Sequence, residues 1–224
     1  MSTEHPVGLL LVDDDPLIRA GLGIILASDP GIKILGEAEN GIRAIELAAR
    51  LRPQVTMMDI RMPQLDGLGA MERILAADPE AKVLILTTFG EEEYIDRAMA
   101  GGAAGFMLKS SSPEELIGAV HSVADGAAAL SPRIAKRLVD KVRSLDHGRH
   151  TVATSLIAQL TPRERDVLSL VGAGDSNAEI AGELVLTPAT VKGHMTSIML
   201  KLGVRNRVEA ALIAYQSGMV NQQD

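Results

Sequence analysis

The chain is 224 residues long, with 46% hydrophobic and 23% charged residues, the balance of a soluble globular protein. It has no cysteine, which excludes disulfides, thiol catalysis, iron–sulfur clusters and Cys-ligated zinc. Aromatic residues make up 2% with no Trp, too few for a reader that stacks exposed bases on aromatic platforms.

The net charge of −7 is unevenly spread. Residues 1–130 carry 10 Lys+Arg against 20 Asp+Glu, residues 131–158 carry 6 against 2, and residues 159–224 carry 6 against 7. Within the last part, residues 187–207 hold Lys192, Lys201, Arg205 and Arg207 and no acid. An acidic front half joined to a tail with one basic segment predicts two functions. No apolar run approaches the ~18 residues of a membrane span. Met1–Pro6 lacks the basic and apolar regions of a secretory signal, so the expectation is a cytoplasmic chain with no membrane insertion.

In chain order, the front half alternates apolar runs with helical periods. The predicted strands are Gly8–Val12, Lys33–Glu37, Val55–Met58, Val83–Leu86 and Gly105–Leu108. All-apolar runs such as Leu9–Val12 suit strands buried on both faces, as in a parallel sheet. Helical stripes lie between them: Ile18, Leu22 and Ile25; Ile42, Ile45 and Ala49; Leu68, Met71 and Leu75. Repeated βα units predict a doubly wound, five-stranded parallel α/β sheet whose cleft lies beyond the strands' carboxyl ends. At those ends stand Asp13, Asp14 and Asp15, then Asp59, then Thr87 and Thr88, then Lys109. Crowded carboxylates with one ammonium and a hydroxyl suit a hard divalent cation, and Mg²⁺ fits. One carboxylate then attacks phosphorus, while ammonium and hydroxyl hold the phosphoryl oxygens. Asp15 before Pro16 also reads as a helix N-cap.

The segments LLVDDDPLIRAGL, MMDIRMPQLDGL, VLILTTF and GFMLKS resemble the receiver domain of NarL/FixJ-class two-component response regulators. The resemblance implies that Asp59 is the phosphoacceptor. It implies Mg²⁺ ligation by Asp13, Asp14, Asp59 and the backbone carbonyl of Arg61. Lys109 then binds the phosphoryl group, Thr87 is the switch hydroxyl and Phe106 the switch aromatic. Aspartyl-phosphate phosphatases, a rival on a similar sheet, place a second Asp two residues after the nucleophile, where this chain has Arg61.

Residues 127–158 read as a partly helical linker. It contains a basic stretch from Pro132 to Arg143 that is predicted helical, and His147 and His150 in a polar segment. The tail reads as an all-α unit of four helices, roughly 162–172, 177–185, 188–202 and 205–216. Thr161-Pro162-Arg163-Glu164 and Ser176-Asn177-Ala178-Glu179 fit the capping box, and Thr187-Pro188 supplies an N-cap followed by proline. Val185-Leu186-Thr187 is a turn of the helix-turn-helix kind. The segments LTPRERDVLSLV, NAEIAGELVLTPATVKGHM and KLGVRNRVEAA resemble the LuxR-type helix-turn-helix. That resemblance implies base-facing positions at Lys192, Gly193 and Thr196, and phosphate contacts from Thr190, Lys201, Arg205 and Arg207. The domains expected are a receiver over 1–126, the linker over 127–158 and a DNA-binding domain over 159–224. The function implied is a transcriptional regulator, not an enzyme. The resemblance further implies that a sensor histidine kinase phosphorylates Asp59, altering dimerisation and the exposure of the helix that a homodimer lays on double-stranded DNA.

Overall fold

The computed structural model describes residues 6–88, 92–135, 137–138 and 153–219. His147, His150, Phe89, the first five residues and the far end of the stretch from Pro132 to Arg143 lie outside the described residues. The chain divides into two compact units, one running to Ala124 and including Ala129–Ser131, the other comprising Asp125–Ala128 and the chain from Pro132 onward.

In the first unit the strands are β1 (Val7–Val12), β2 (Ile32–Ala38), β3 (Val55–Asp59), β4 (Val83–Thr87) and β5 (Gly105–Leu108). Between and after them run α1 (Pro16–Ala27), α2 (Gly41–Leu51), α3 (Gly67–Ala77), α4 (Glu92–Gly101) and α5 (Pro113–Ala124). Each predicted strand is present, lengthened by at most a residue at either end. The sheet has six strands rather than five, in the order β2-β1-β3-β4-β5-β6, all parallel. The added strand, β6 (Ala129–Leu130), pairs with Gly105 and Phe106, and the Ser131 N–H donates to the Phe106 carbonyl at 3.1 Å.

The strand order reverses between β1 and β3, which opens a crevice at their carboxyl ends. Beneath it, Leu9, Leu11, Val55, Met57, Leu84 and Leu86 pack with Leu22 and Leu26 of α1 and Leu116, Val120 and Val123 of α5. That burial explains why the strands read as unbroken apolar runs.

The second unit's helices are α6 (Pro162–Ala173), α7 (Asn177–Leu184), α8 (Pro188–Leu202) and α9 (Arg207–Gln216). Residues 153–157 add a short helical turn before them. Both capping boxes form: the Thr161 hydroxyl accepts from the Glu164 N–H and the Ser176 hydroxyl from the Glu179 N–H, each acid reaching back. Thr187 caps α8. The last helix starts at 207 rather than 205, because Asn206 is its N-cap and its side-chain Oδ1 accepts the Glu209 N–H at 2.8 Å. Val167, Leu168, Ile180, Val191, Ile198 and Leu202 form the core of this unit. No helix among the described residues is long and apolar enough to cross a membrane.

Candidate functional site

Because β1 and β3 are neighbours in register, their ends deliver Asp13 and Asp59 to one point, with Asp14 beside them. One carboxylate oxygen from each of Asp13, Asp14 and Asp59 lies within 4.8 Å of the other two. Asp13 is fully buried, Asp59 is 6% exposed, and Asp14 faces solvent, so the cluster has a floor and an open side.

Lys109, one residue past β5, reaches across the crevice. Its Nζ is 2.6 Å from Asp13 Oδ2 and 3.1 Å from Asp59 Oδ2. Burial pushes the Asp59 carboxyl up, and the Lys109 ammonium opposes this in part. Burial pulls the Lys109 ammonium down, but Asp13 and Asp59 outweigh it and the net shift is upward. Lys109 therefore stays charged and offsets one of three carboxylates. The all-oxygen donor set and the remaining negative charge fit a hard divalent cation.

The strand ladder fixes the other parts. The Lys109 N–H donates to the Thr87 carbonyl at 2.7 Å, so the buried threonine and the lysine are held side by side. Phe106 is fully buried on β5, paired with Ile85 on one side and Leu130 on the other. Arg61 is exposed, its guanidinium carbon 5.5 Å from the centre of the Tyr94 ring on α4. Asp15 accepts from the Leu17 and Ile18 N–H groups, so it is the N-cap of α1 and stands outside the acidic cluster.

At Gly67, the first residue of α3, the chain closes on the site, a contact that the sequence reading missed. A Cβ there would lie 1.9 Å from the Asp59 carbonyl oxygen, so the start of α3 touches the backbone that presents Asp59. The Asp-Gly pair at 66–67 was the available signal.

On the second unit, Lys192, Gly193 and Thr196 lie on the exposed face of α8, and Leu200 continues that face at 83% exposure. A Cβ at Gly193 meets nothing within 4 Å, so backbone crowding does not require the glycine. The Thr196 hydroxyl donates back to the Lys192 carbonyl, and the Thr190 hydroxyl sits 2.9 Å from that of Thr187.

The two outer basic residues are less available than the sequence suggests. Lys201 Nζ binds both carboxylate oxygens of the buried Glu164, at 2.7 and 2.6 Å. Arg207 donates to Asn177 Oδ1 at 2.8 Å and to the Asp175 carbonyl, and burial brings its guanidinium down to about 10. Arg205 is exposed at the start of the last turn.

Comparison with known proteins bears on both units. The response regulator receiver domain family matches residues 9–121, and the LuxR family of bacterial regulatory proteins matches residues 158–214. The chain is 35% identical over 216 residues to the nitrate/nitrite response regulator protein NarL of Escherichia coli strain K12, covering 96% of this chain and 98% of that one. It is 33% identical to the transcriptional regulatory protein LiaR of Bacillus subtilis strain 168, covering 96% and 100%. Among solved structures, it is similar to response regulator ChrA of a heme-sensing two-component system. That match has 33% identity and a TM-score of 0.53, covering 97% of this chain and 100% of that one.

Proposed function

Since the chain belongs to the NarL family of response regulators, DNA-binding transcriptional regulators with a receiver and a LuxR-type domain, we propose that a sensor histidine kinase phosphorylates Asp59 and thereby controls binding of a homodimer to double-stranded DNA in the cytoplasm. The single observation that carries this reading is Lys109 Nζ, poised between Asp13 and Asp59 beside an acidic cluster typical of a metal-binding receiver phosphorylation site.

An Asp59 carboxylate oxygen attacks phosphorus, the P–N bond to the kinase imidazole breaks, and the ring takes up a proton. Asp13, Asp14, Asp59 and the Arg61 backbone carbonyl would hold Mg²⁺, which would neutralise charge between the two anions that must meet. Lys109 moves its ammonium from the two carboxylates onto a phosphoryl oxygen. The Thr87 hydroxyl donates to another oxygen and is drawn toward Asp59. Phe106 has no hydroxyl, so its response is driven by packing alone. The phosphoryl group adds about −1.5 to −2 charges to the pocket.

On DNA, Lys192, Gly193 and Thr196 face bases from α8 in the major groove. Thr190, Lys201, Arg205 and Arg207 lie toward phosphates, and Lys201 and Arg207 give up part of their intradomain contacts to reach them. The receiver, linker and DNA-binding domain occupy roughly 1–126, 127–158 and 159–224, with Ala129–Leu130 lending a strand to the first. Treatment with Mg²⁺ and acetyl phosphate should raise the DNA affinity of the full chain, and Asp59→Asn should abolish that gain. A gain that survives Asp59→Asn would refute the control mechanism.

A further inference from the structure

Arg19 is outside the cluster just described, yet it touches the backbone that builds it. Its Nη1 donates to the Asp13 carbonyl at 2.6 Å, and its Nε to Glu37 Oε2 on β2 at 3.0 Å. The side chain is 19% exposed, against 49% for Glu37. The sheet ladder of β1 ends at Val12, so the Asp13 carbonyl lies beyond the strand pairing, and a buried carbonyl needs a donor. Asp13 is otherwise fully engaged: its N–H donates to the Ala38 carbonyl at 3.1 Å, and its Oδ1 accepts the Asp15 N–H at 3.0 Å. Its Oδ2 meets Lys109 at 2.6 Å. Asp15 in turn caps α1, the helix whose second turn carries Arg19, and the Arg19 N–H donates to the Asp15 carbonyl at 2.9 Å.

The Asp13 carbonyl belongs to the same rigid peptide plane as the Asp14 N–H. Holding that oxygen therefore sets the direction in which Asp14 leaves the strand. Arg19 is suited to this because one planar fork serves two acceptors at once, which a single ammonium does not reproduce. We propose that Arg19 is a positioning residue for the divalent-cation pocket, clamping the Asp13–Asp14 peptide so that both carboxylates face one ion. The proposal rests on the reading of Asp13, Asp14 and Asp59 as that pocket.

Charge and position predict opposite results here. Removing a cation near three carboxylates would, by Coulomb attraction alone, tighten Mg²⁺ binding. Loss of positioning weakens it, and supports behind metal ligands are worth roughly 10-fold or more in affinity. The test is titration of the full chain with MgCl₂ by calorimetry, with no phosphodonor present. Arg19→Ala should weaken Mg²⁺ binding about 10-fold, and Arg19→Lys, which keeps the charge and loses the fork, several-fold. Asp14→Asn, measured in parallel, should weaken it as a lost ligand. Unchanged or tighter binding in both Arg19 variants, with Asp14→Asn weakened, overturns the role of Arg19 and leaves the pocket standing. Binding unaffected by Asp14→Asn overturns the pocket reading, and the proposal with it. If Arg19→Ala does not fold, Arg19→Lys decides alone, because an unchanged affinity there contradicts the need for a fork.

Discussion

Glu164 at the start of α6 and Lys201 near the end of α8 form a two-pronged ion pair, 2.7 and 2.6 Å, across the interior of the second unit. Ser197 adds a hydroxyl at 2.6 Å to the same carboxylate, and the Thr161 N–H a fourth contact at 2.8 Å. The pair fixes α8, the helix that presents Lys192 and Thr196, to α6. Burial pushes the Glu164 carboxyl up, but these partners outweigh it and hold the carboxyl down at about 2, against an ordinary 4.5. The folded value lies below the unfolded one, so the stabilisation is full above pH 4.5 and is lost as pH falls toward 2. Its size is on the order of 2 kcal/mol, discounted because the Lys201 side chain is 34% exposed. Thermal unfolding from pH 6 to 2 should show the second unit's midpoint falling through this window, and Glu164→Gln should flatten that part of the curve.

The same pair changes the expected salt dependence of DNA binding. If all four cations of residues 187–207 met phosphates, a dimer would neutralise roughly eight, for a log–log slope of about −7. With Lys201 held by Glu164 and Arg207 by Asp175 and Asn177, fewer phosphate contacts form and the slope should be shallower than that. Fluorescence anisotropy across a salt series measures it. Lys192→Ala should cost about 1–3 kcal/mol on the preferred sequence and less on random DNA if it reads a base.

Two substitutions in the helix-turn-helix should stabilise it. Val185, 90% exposed, closes α7 at φ 54°, a left-handed conformation costly for a β-branched residue. Val185→Asn should gain about 1 kcal/mol. Gly193→Ala places a methyl in open space within α8 and should gain about 1 kcal/mol. Each gain corresponds to a rise of about 4–8 °C in a domain of this size.

Gly67→Ala should do the reverse. Its methyl would collide with the Asp59 carbonyl at 1.9 Å, so the α3 start or the Asp59 backbone must move. The strain is about 1–3 kcal/mol. The variant should accept phosphate from acetyl phosphate at least several-fold more slowly than wild type while the DNA affinity of the unphosphorylated chain stays the same.

The strand ends were legible because burial on both faces leaves an unambiguous apolar run, and the polar residue ending each run marks the crevice. The capping boxes were legible because both halves lie within four residues. Ala129–Leu130 was not, since two residues in a run of alanines carry no period, and their partner strand begins at Gly105. Nor were the roles of Arg19, Lys201 and Arg207. A basic residue on a helix reads as solvated until its partner is known, and Glu37, Glu164 and Asn177 lie 18, 37 and 30 positions away.

The most direct test of the account is chemical mapping of phosphate on the full chain after incubation with Mg²⁺ and acetyl phosphate. The account predicts one acid-stable, base-labile phosphoryl group on Asp59, lost in Asp59→Asn and on chelation of the metal. Phosphate accepted by Asp59→Asn at the wild-type rate, or located on another residue, would contradict it.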